Sequence, residues 1–307
     1  MPCFSCVINE DFSVLPRLDR YVSENLKLLS RSQIKARELK AKVNDKDVKF
    51  SHLVKKGDKL DLNWSNAPPV ELLPQDIPIE IVYEDEKQIV INKEQGMVVH
   101  PGAGNRQGTL ANALYFRRLK KSASSSEGLR PGIVHRLDKD TSGLIIAAFD
   151  EETHAFLAEQ FKMRKVQKYY IAIVHGAPKE IKGRIETFIA RDQKDRRRFI
   201  VAANGRNSVT AYKIIKNWNK YSLLLLRPRT GRTHQLRVHL RHIGCPILGD
   251  PIYSSADKLF PDASLMLHSK KLVITLAGEK EERVFSLPVP DRFTAVIEKL
   301  DRMNANG

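Results

Sequence analysis

The run Arg130-Pro-Gly-Ile-Val-His-Arg-Leu-Asp138-Lys-Asp-Thr-Ser-Gly-Leu-Ile-Ile-Ala-Ala148 changes character halfway along. Pro131 and Gly132 are turn residues, and His135 to Ser142 is densely polar. Leu144 to Ala148 is a short, continuous apolar stretch, the pattern of a strand buried on both faces. A polar loop anchored to such a strand offers exposed side chains on a rigid support, a common setting for chemistry. Asp138 stands among cations, with Lys139 beside it and Arg136 and Arg130 close in sequence. A cation ~4 Å away contributes about 4 kcal/mol at an effective dielectric near 20 and favours the ionised carboxylate. That suits a nucleophile or base. The plainer reading is an Asp that caps a turn, with solvated basic neighbours.

Working outward, 307 residues allow one sizeable core and a small extra domain. The chain is 42% apolar, with a mean hydropathy of -0.37, and no apolar run approaches the roughly 18 residues of a membrane span. Its first residues lack the basic start, apolar core and small-residue site of a signal peptide. The three cysteines include a C-x-x-C at Cys3 and Cys6 but no second pair, a weak metal or redox signal. These features point to a reducing cytoplasm. The net charge of +16 and pI near 9.7 call for a polyanionic partner. Without a basic amphipathic membrane helix, nucleic acid leads.

Residues 16–64 read as a small α/β module. Leu18, Tyr21, Val22 and Leu26 recur at helical spacing, and Ser30 is placed to cap a second helix carrying Arg31, Lys35 and Arg37. Ala41–Phe50 and His52–Trp64 alternate as strands, with turns at Asn44-Asp45 and Gly57-Asp58. The blocks Arg17-Leu-Asp-Arg-Tyr-Val22, Leu29-Ser-Arg-Ser-Gln-Ile-Lys35 and Val54-Lys-Lys-Gly-Asp-Lys-Leu60 resemble the alpha-L RNA-binding domain. The resemblance implies that Arg31, Lys35 and Arg37 contact RNA.

Residues 65–74, Pro-containing at the start, form a linker, and 75–303 a catalytic domain. Strands are expected at Ile77–Tyr83, Gln88–Asn92, Met97–His100, Gln167–His175, Lys182–Phe188, Val209–Ile215, Tyr221–Leu226 and Leu265–Leu276. Helices are expected from Thr109 to Tyr115, Glu151–Phe161, Arg232–Ile243 and Asp291–Met303, with a flexible loop over Lys120–Gly128. Arg191–Arg198 is a basic turn. The glycines from Gly102 to Gly108 miss the dinucleotide-binding spacing by one residue and lack its βαβ context. Strands with irregularly placed helices argue for an α+β fold with a mixed, mostly antiparallel sheet.

Several blocks in order resemble the RluA-type pseudouridine synthases. They are His135-Arg-Leu-Asp138-Lys-Asp-Thr-Ser-Gly-Leu144, Lys168-Tyr-Tyr170-Ile-Ala-Ile-Val-His-Gly176, Arg229-Thr-Gly-Arg-Thr-His-Gln-Leu-Arg237-Val-His-Leu240, Gly244-Cys-Pro-Ile-Leu-Gly-Asp250 and Leu267-His268. The likeness runs from residue 75 to about 290. It departs from the family at Glu94, where Pro usually follows Lys, and at Phe199, where Met is common. The RNA-binding module in front has the order usual for the ribosomal-RNA branch.

This resemblance implies conversion of uridine to pseudouridine: the N1–C1′ bond breaks, the base turns, and C5 rejoins the sugar. No cofactor or metal is implied. Asp138 would be the essential carboxylate, at the base or at the ribose. Tyr170 would stack on the base, because a phenol of pKa about 10 is a poor base at neutral pH. Arg237 would pair with Asp138. The uridine would be flipped out of the RNA, with Arg136 filling the space it leaves, Leu267 walling the pocket and Lys168 on the substrate side. Large-subunit ribosomal RNA is the expected substrate.

The same sequence admits other readings. His234, His239, His242 and Cys245 could be a zinc cluster, though no paired ligand motif is present. A serine hydrolase lacks its G-x-S-x-G elbow at Ser142. A non-catalytic RNA-binding or ribosome-assembly factor, a base-releasing glycosylase and a synthase acting on transfer RNA stay open at this point.

Overall fold

The computed structural model describes residues 2–26, 28–29, 31–65, 72–102, 104–121 and 132–305, without the side chains of Arg31, Ser32, Ala36 and Lys121. Ser30, most of the linker, Arg130, Pro131 and the part of the expected flexible loop after Lys121 lie outside these residues. The chain divides into two compact units, Met1–Glu71 and Leu72–Gly307.

The first unit opens on a strand absent from the sequence expectation, β1 (Cys3–Val7). Then come α1 (Leu18–Arg20), running on as a π-helical turn over Tyr21–Asn25, and α2 (Arg31–Ala36). Strands β2 (Lys40–Val43), β3 (Lys46–Asp47) and β4 (Lys59–Asn63) follow, in the sheet order β1-β4-β2-β3. Leu18, Tyr21 and Val22 pack with Ile34, Leu60 and Leu62 in one core, so the helical spacing reported a buried face. Asn44 and Asp45 both have positive φ, 52° and 62°, as a two-residue hairpin turn requires. Cys3 is exposed while Cys6 faces the interior side of β1, so this strand keeps the two thiols apart.

The second unit contains β5 (Glu80–Glu84), β6 (Gln88–Lys93), α3 (Leu110–Lys121), β7 (Gly132–Ile133), β8 (Ser142–Ala148) and α4 (Glu151–Lys162). It continues with β9 (Gln167–His175), β10 (Lys182–Arg191), β11 (Phe199–Val201), β12 (Arg206–Asn217), β13 (Tyr221–Pro228) and α5 (Gln235–His242). It closes with β14 (Leu267–Thr275), β15 (Glu282–Ser286) and α6 (Asp291–Ala305). The eleven strands form one sheet, ordered β11-β10-β12-β13-β9-β14-β8-β6-β5, with β15 beside β14 and β7 beside β8. It is the mixed, mostly antiparallel sheet of an α+β fold. Among the described strands only β8 and β14 pair in parallel, through His268↔Ser142 and Ser269↔Gly143. Every residue of β8 is buried. Ile145 and Ala147 point into the larger core with Ile89 and Ile173, and Leu144 and Ile146 into the core of the other face with Leu272 and Ile274.

Three expectations need correction. Met97–His100 is not a strand: Val98 makes a single parallel bridge to Thr109, and the carbonyls of Val98 and Val99 accept from the first turn of α3. That helix runs to Lys121, beyond the expected end at Tyr115, its start tied by Thr109 Oγ1 donating to Asn112 Oδ1 at 2.6 Å. Finally, α5 begins at Gln235 and not Arg232, because His234 sits in the left-handed region at φ 56° and cannot continue a helix backwards. Among the described residues, no helix is long and apolar enough to cross a membrane.

Candidate active site

Asp138 lies in the loop between β7 and β8, its side chain 17% exposed. The loop is held at both ends. His135, stacked on Phe161 with ring centroids 4.6 Å apart, accepts the Ile146 N–H on Nε2 at 3.1 Å. Burial, with the nearby charge of Lys168, lowers its pKa to about 3. It is thus a neutral buttress of the loop. On the other side, the wholly buried Lys93 donates Nζ to the carbonyls of Glu94 at 2.7 Å, Met97 at 2.8 Å and Lys139 at 3.1 Å. Burial drives its pKa down to about 8 against the pull of Asp140 and Asp138. Gly143, at φ 112°, closes the loop where β8 meets β14. A Cβ there would overlap the backbone of Ser269, so the pairing requires glycine.

Arg237 rises from α5 beneath this carboxylate and is 2% exposed. Its Nη1 is 3.7 Å from Asp138 Oδ2, beyond hydrogen-bonding distance. The close partner is Asp250, which accepts from Nε and Nη2 at 2.7 Å each. Asp250 also accepts the N–H groups of Ile252 at 2.9 Å and Tyr253 at 3.0 Å. The Arg237 guanidinium lies 5.1 Å from the centroid of the Tyr253 ring. Burial opposes its charge, but the bonds and charge of Asp250, with Asp138 behind, raise its pKa overall. The expected pairing of Arg237 with Asp138 is therefore the weaker half of an Asp138–Arg237–Asp250 relay. The role of Asp250 was not read from the sequence, although the residue ends one of the quoted blocks.

Tyr170, from the centre of β9, is 7% exposed and lines the pocket opposite this relay. Burial, with the charge of Asp138 adding to it, raises its phenol to about 12. Leu267 and the Lys168 side chain complete that wall, and burial lowers the Lys168 pKa. The exposed Arg136 stands on the rim. Asp138, Arg136, Lys168, Tyr170, Arg237 and Leu267 thus line one pocket of about 80 Å³. The segment ahead of α5 forms its remaining side and is fixed by Gln235, whose Oε1 accepts from Thr230 Oγ1 at 2.7 Å and the Arg232 N–H at 3.0 Å. Arg31, Lys35 and Arg37 belong to the first unit. There Lys35 is exposed and Arg37 half-buried.

Two histidines of the alternative zinc reading, His239 and His234, have other partners. His239 is buried with Nδ1 2.9 Å from Thr210 Oγ1 and Nε2 3.1 Å from Thr187 Oγ1, and burial lowers its pKa to about 4. His234 Nδ1 lies 2.9 Å from the Tyr253 hydroxyl, whose oxygen already accepts the Phe199 N–H at 2.7 Å. Among the described residues no three His, Cys, Asp or Glu side chains converge on a metal position.

Comparison with known proteins bears on this geometry. Residues 87–242 match the profile of the RNA pseudouridylate synthase family. Ribosomal large subunit pseudouridine synthase D of Borreliella burgdorferi is 43% identical over 299 residues, spanning 94% of this chain and 91% of its own. The protein of the same name from Zymomonas mobilis is 40% identical over 252 residues, or 79% of this chain and 78% of its own. The solved structure of human RNA Pseudouridylate Synthase Domain Containing 4 superposes with a TM-score of 0.59 at 27% identity, over 72% of this chain and 93% of that one. The family profile and these relatives, together with a sheet of this architecture, lead to one conclusion: the chain belongs to the RNA pseudouridine synthase family and is an RNA-modifying isomerase.

Proposed function

We propose that the protein isomerises specific uridines of large-subunit ribosomal RNA, with Asp138 as its essential carboxylate and the target nucleotide flipped into the pocket. The observation that carries this reading is the position of Asp138. It is a carboxylate in a pocket, 3.7 Å from a buried guanidinium and sharing that pocket with an aromatic ring and Leu267.

Two routes are open to a carboxylate, addition to the base or chemistry at the ribose, and both begin from its anion. Arg237 is fixed by Asp250, so its charge faces Asp138 without reorganising during the reaction. The N1–C1′ bond breaks, the base turns within the pocket, C5 bonds to C1′, and the C5 proton then leaves to solvent while the freed N1 takes up a proton. Tyr170, with its pKa near 12, keeps its proton at neutral pH and serves as a stacking wall. A uridine inside folded RNA cannot reach Asp138, and flipping costs roughly a few kcal/mol. Arg136 on the rim is placed to occupy the space left behind, and Lys168 to meet the polar edge of the nucleotide. In the first unit, Arg31, Lys35 and Arg37 supply phosphate contacts. A cytoplasmic site of action goes with this reading.

The test is tritium release from C5-tritiated RNA. Release to water from large-subunit ribosomal RNA, with no free uracil formed, is the expected outcome. Release from transfer RNA alone would overturn the substrate assignment.

A further inference from the structure

Leu137 and Asp138 form a partition. On one side is the pocket with Tyr170 and Leu267. On the other is a wider cavity of about 420 Å³, lined by His100, Pro101, Gly102, Asn105, Lys139 and Ile252. Arg136, His234 and Arg237 border both. A nucleotide seated against Asp138 in the first pocket is joined by one phosphodiester to each neighbour, and the second cavity begins at the same carboxylate.

The lining of this cavity offers groups that suit a base. Gly102 and Asn105 close a tight turn by exchanging two main-chain hydrogen bonds of 3.0 Å. That turn occupies the Asn105 backbone and leaves free for other partners its side-chain amide, a donor and an acceptor side by side, on a residue that lines the cavity. Among the described residues that amide has no hydrogen-bond partner. His100 has its pKa lowered by burial and by the charge of Arg136, so at neutral pH it is an uncharged ring with one donor and one acceptor. Val99, Pro101 and Ile252 give apolar surface for the flat face of a base. Asp138 and Asp140, in the same lining, offset much of the charge of Arg136, Lys139 and Arg237.

Resting on the flipped-uridine reading of the first pocket, we propose that this second cavity receives the nucleotide flanking the target uridine, and that Asn105 and His100 read its base edge. The protein then selects its site partly by identifying a neighbour, in addition to recognising uridine itself.

The experiment takes an RNA fragment that the full-length protein modifies and remakes it with each of the four bases on either side of the target. kcat/KM is read as tritium release. At one of the two positions the wild type should discriminate between bases by about 10-fold or more, as one good amide-to-base pairing gives. Asn105→Ala should shrink that spread to about twofold, and His100→Ala should narrow it. Asn105→Asp, equal in shape but without the amide donor, should change which base is preferred. A wild type indifferent to both neighbours would overturn the proposal. So would a spread that survives Asn105→Ala, or an equal loss on every RNA. Failure of the wild type to release tritium from any RNA would instead sink the reading of the first pocket, and this proposal with it.

Discussion

Arg237 gives two of its N–H groups to Asp250 at 2.7 Å each and leaves Nη1 facing Asp138 at 3.7 Å. Asp250, with a side chain of zero exposure, thus sets the direction of the cation that faces Asp138. Removing one member of a buried ion pair costs about 3–5 kcal/mol, because the other is left uncompensated. Asp250→Ala should therefore lower stability by about that amount, seen as a shifted urea midpoint with an unchanged slope. Asp250→Asn, which keeps the shape but loses the charge and sets an NH2 donor where one carboxylate oxygen accepted, should lose more in kcat than in RNA affinity. An Asp250→Asn enzyme with full turnover would show that Arg237 needs no orienting partner.

Tyr170 separates two roles of an aromatic residue. With its phenol at about 12, the hydroxyl contributes no base at neutral pH, whereas the ring contributes a surface. Tyr170→Phe should keep turnover within about tenfold of wild type, and Tyr170→Ala should lose far more, since base stacking is worth about 1–3 kcal/mol. The comparison is single-turnover tritium release by the two variants. Equal, severe losses would return the hydroxyl to the chemistry.

Lys93 makes a pH-dependent contribution whose sign can be worked out. Its pKa falls from an ordinary 10.5 to about 8 on folding. Between those values the unfolded chain holds a proton that the folded one has lost, so stability rises with pH across that window. The gain is on the order of 3 kcal/mol, at about 1.4 kcal/mol per pKa unit. Urea melts from pH 7.5 to 10.5 should show the wild type gaining on Lys93→Met as pH increases. A constant difference would mean that the ammonium is not buried as described. At pH 7.5 the variant should also turn over more slowly, because the Lys139 carbonyl next to Asp138 loses its donor.

Gly143→Ala should destabilise by at least about 1–3 kcal/mol, the usual cost of overpacking, with backbone strain at φ 112° added. A thermal melt would show it, and an unshifted melt would mean that β8 and β14 do not meet as described.

Much of this was legible because it is local. The apolar run after Asp138 identified a strand buried on both faces, and β8 is that strand. The spacing of Leu18, Tyr21 and Val22 identified a packed helical face. What stayed hidden depends on partners far along the chain. β1 carries no strong strand pattern and exists because β4, more than fifty residues on, pairs with it through Cys6↔Leu60 and Phe4↔Leu62. Met97–His100 has the composition of a strand, but its carbonyls are taken by the first turn of α3. The buried roles of Asp250 and Lys93 follow from the tertiary approach of α5 and β6 to one loop. Nothing in the spacing of those residues announces it.

The most direct measurement compares wild type and Asp138→Asn for single-turnover tritium release and for binding of the same RNA. The account predicts release lost by about 10⁴-fold or more, on the scale of removing an essential nucleophile, with RNA affinity within about threefold of wild type. An Asp138→Asn protein that still releases tritium at a comparable rate would contradict it.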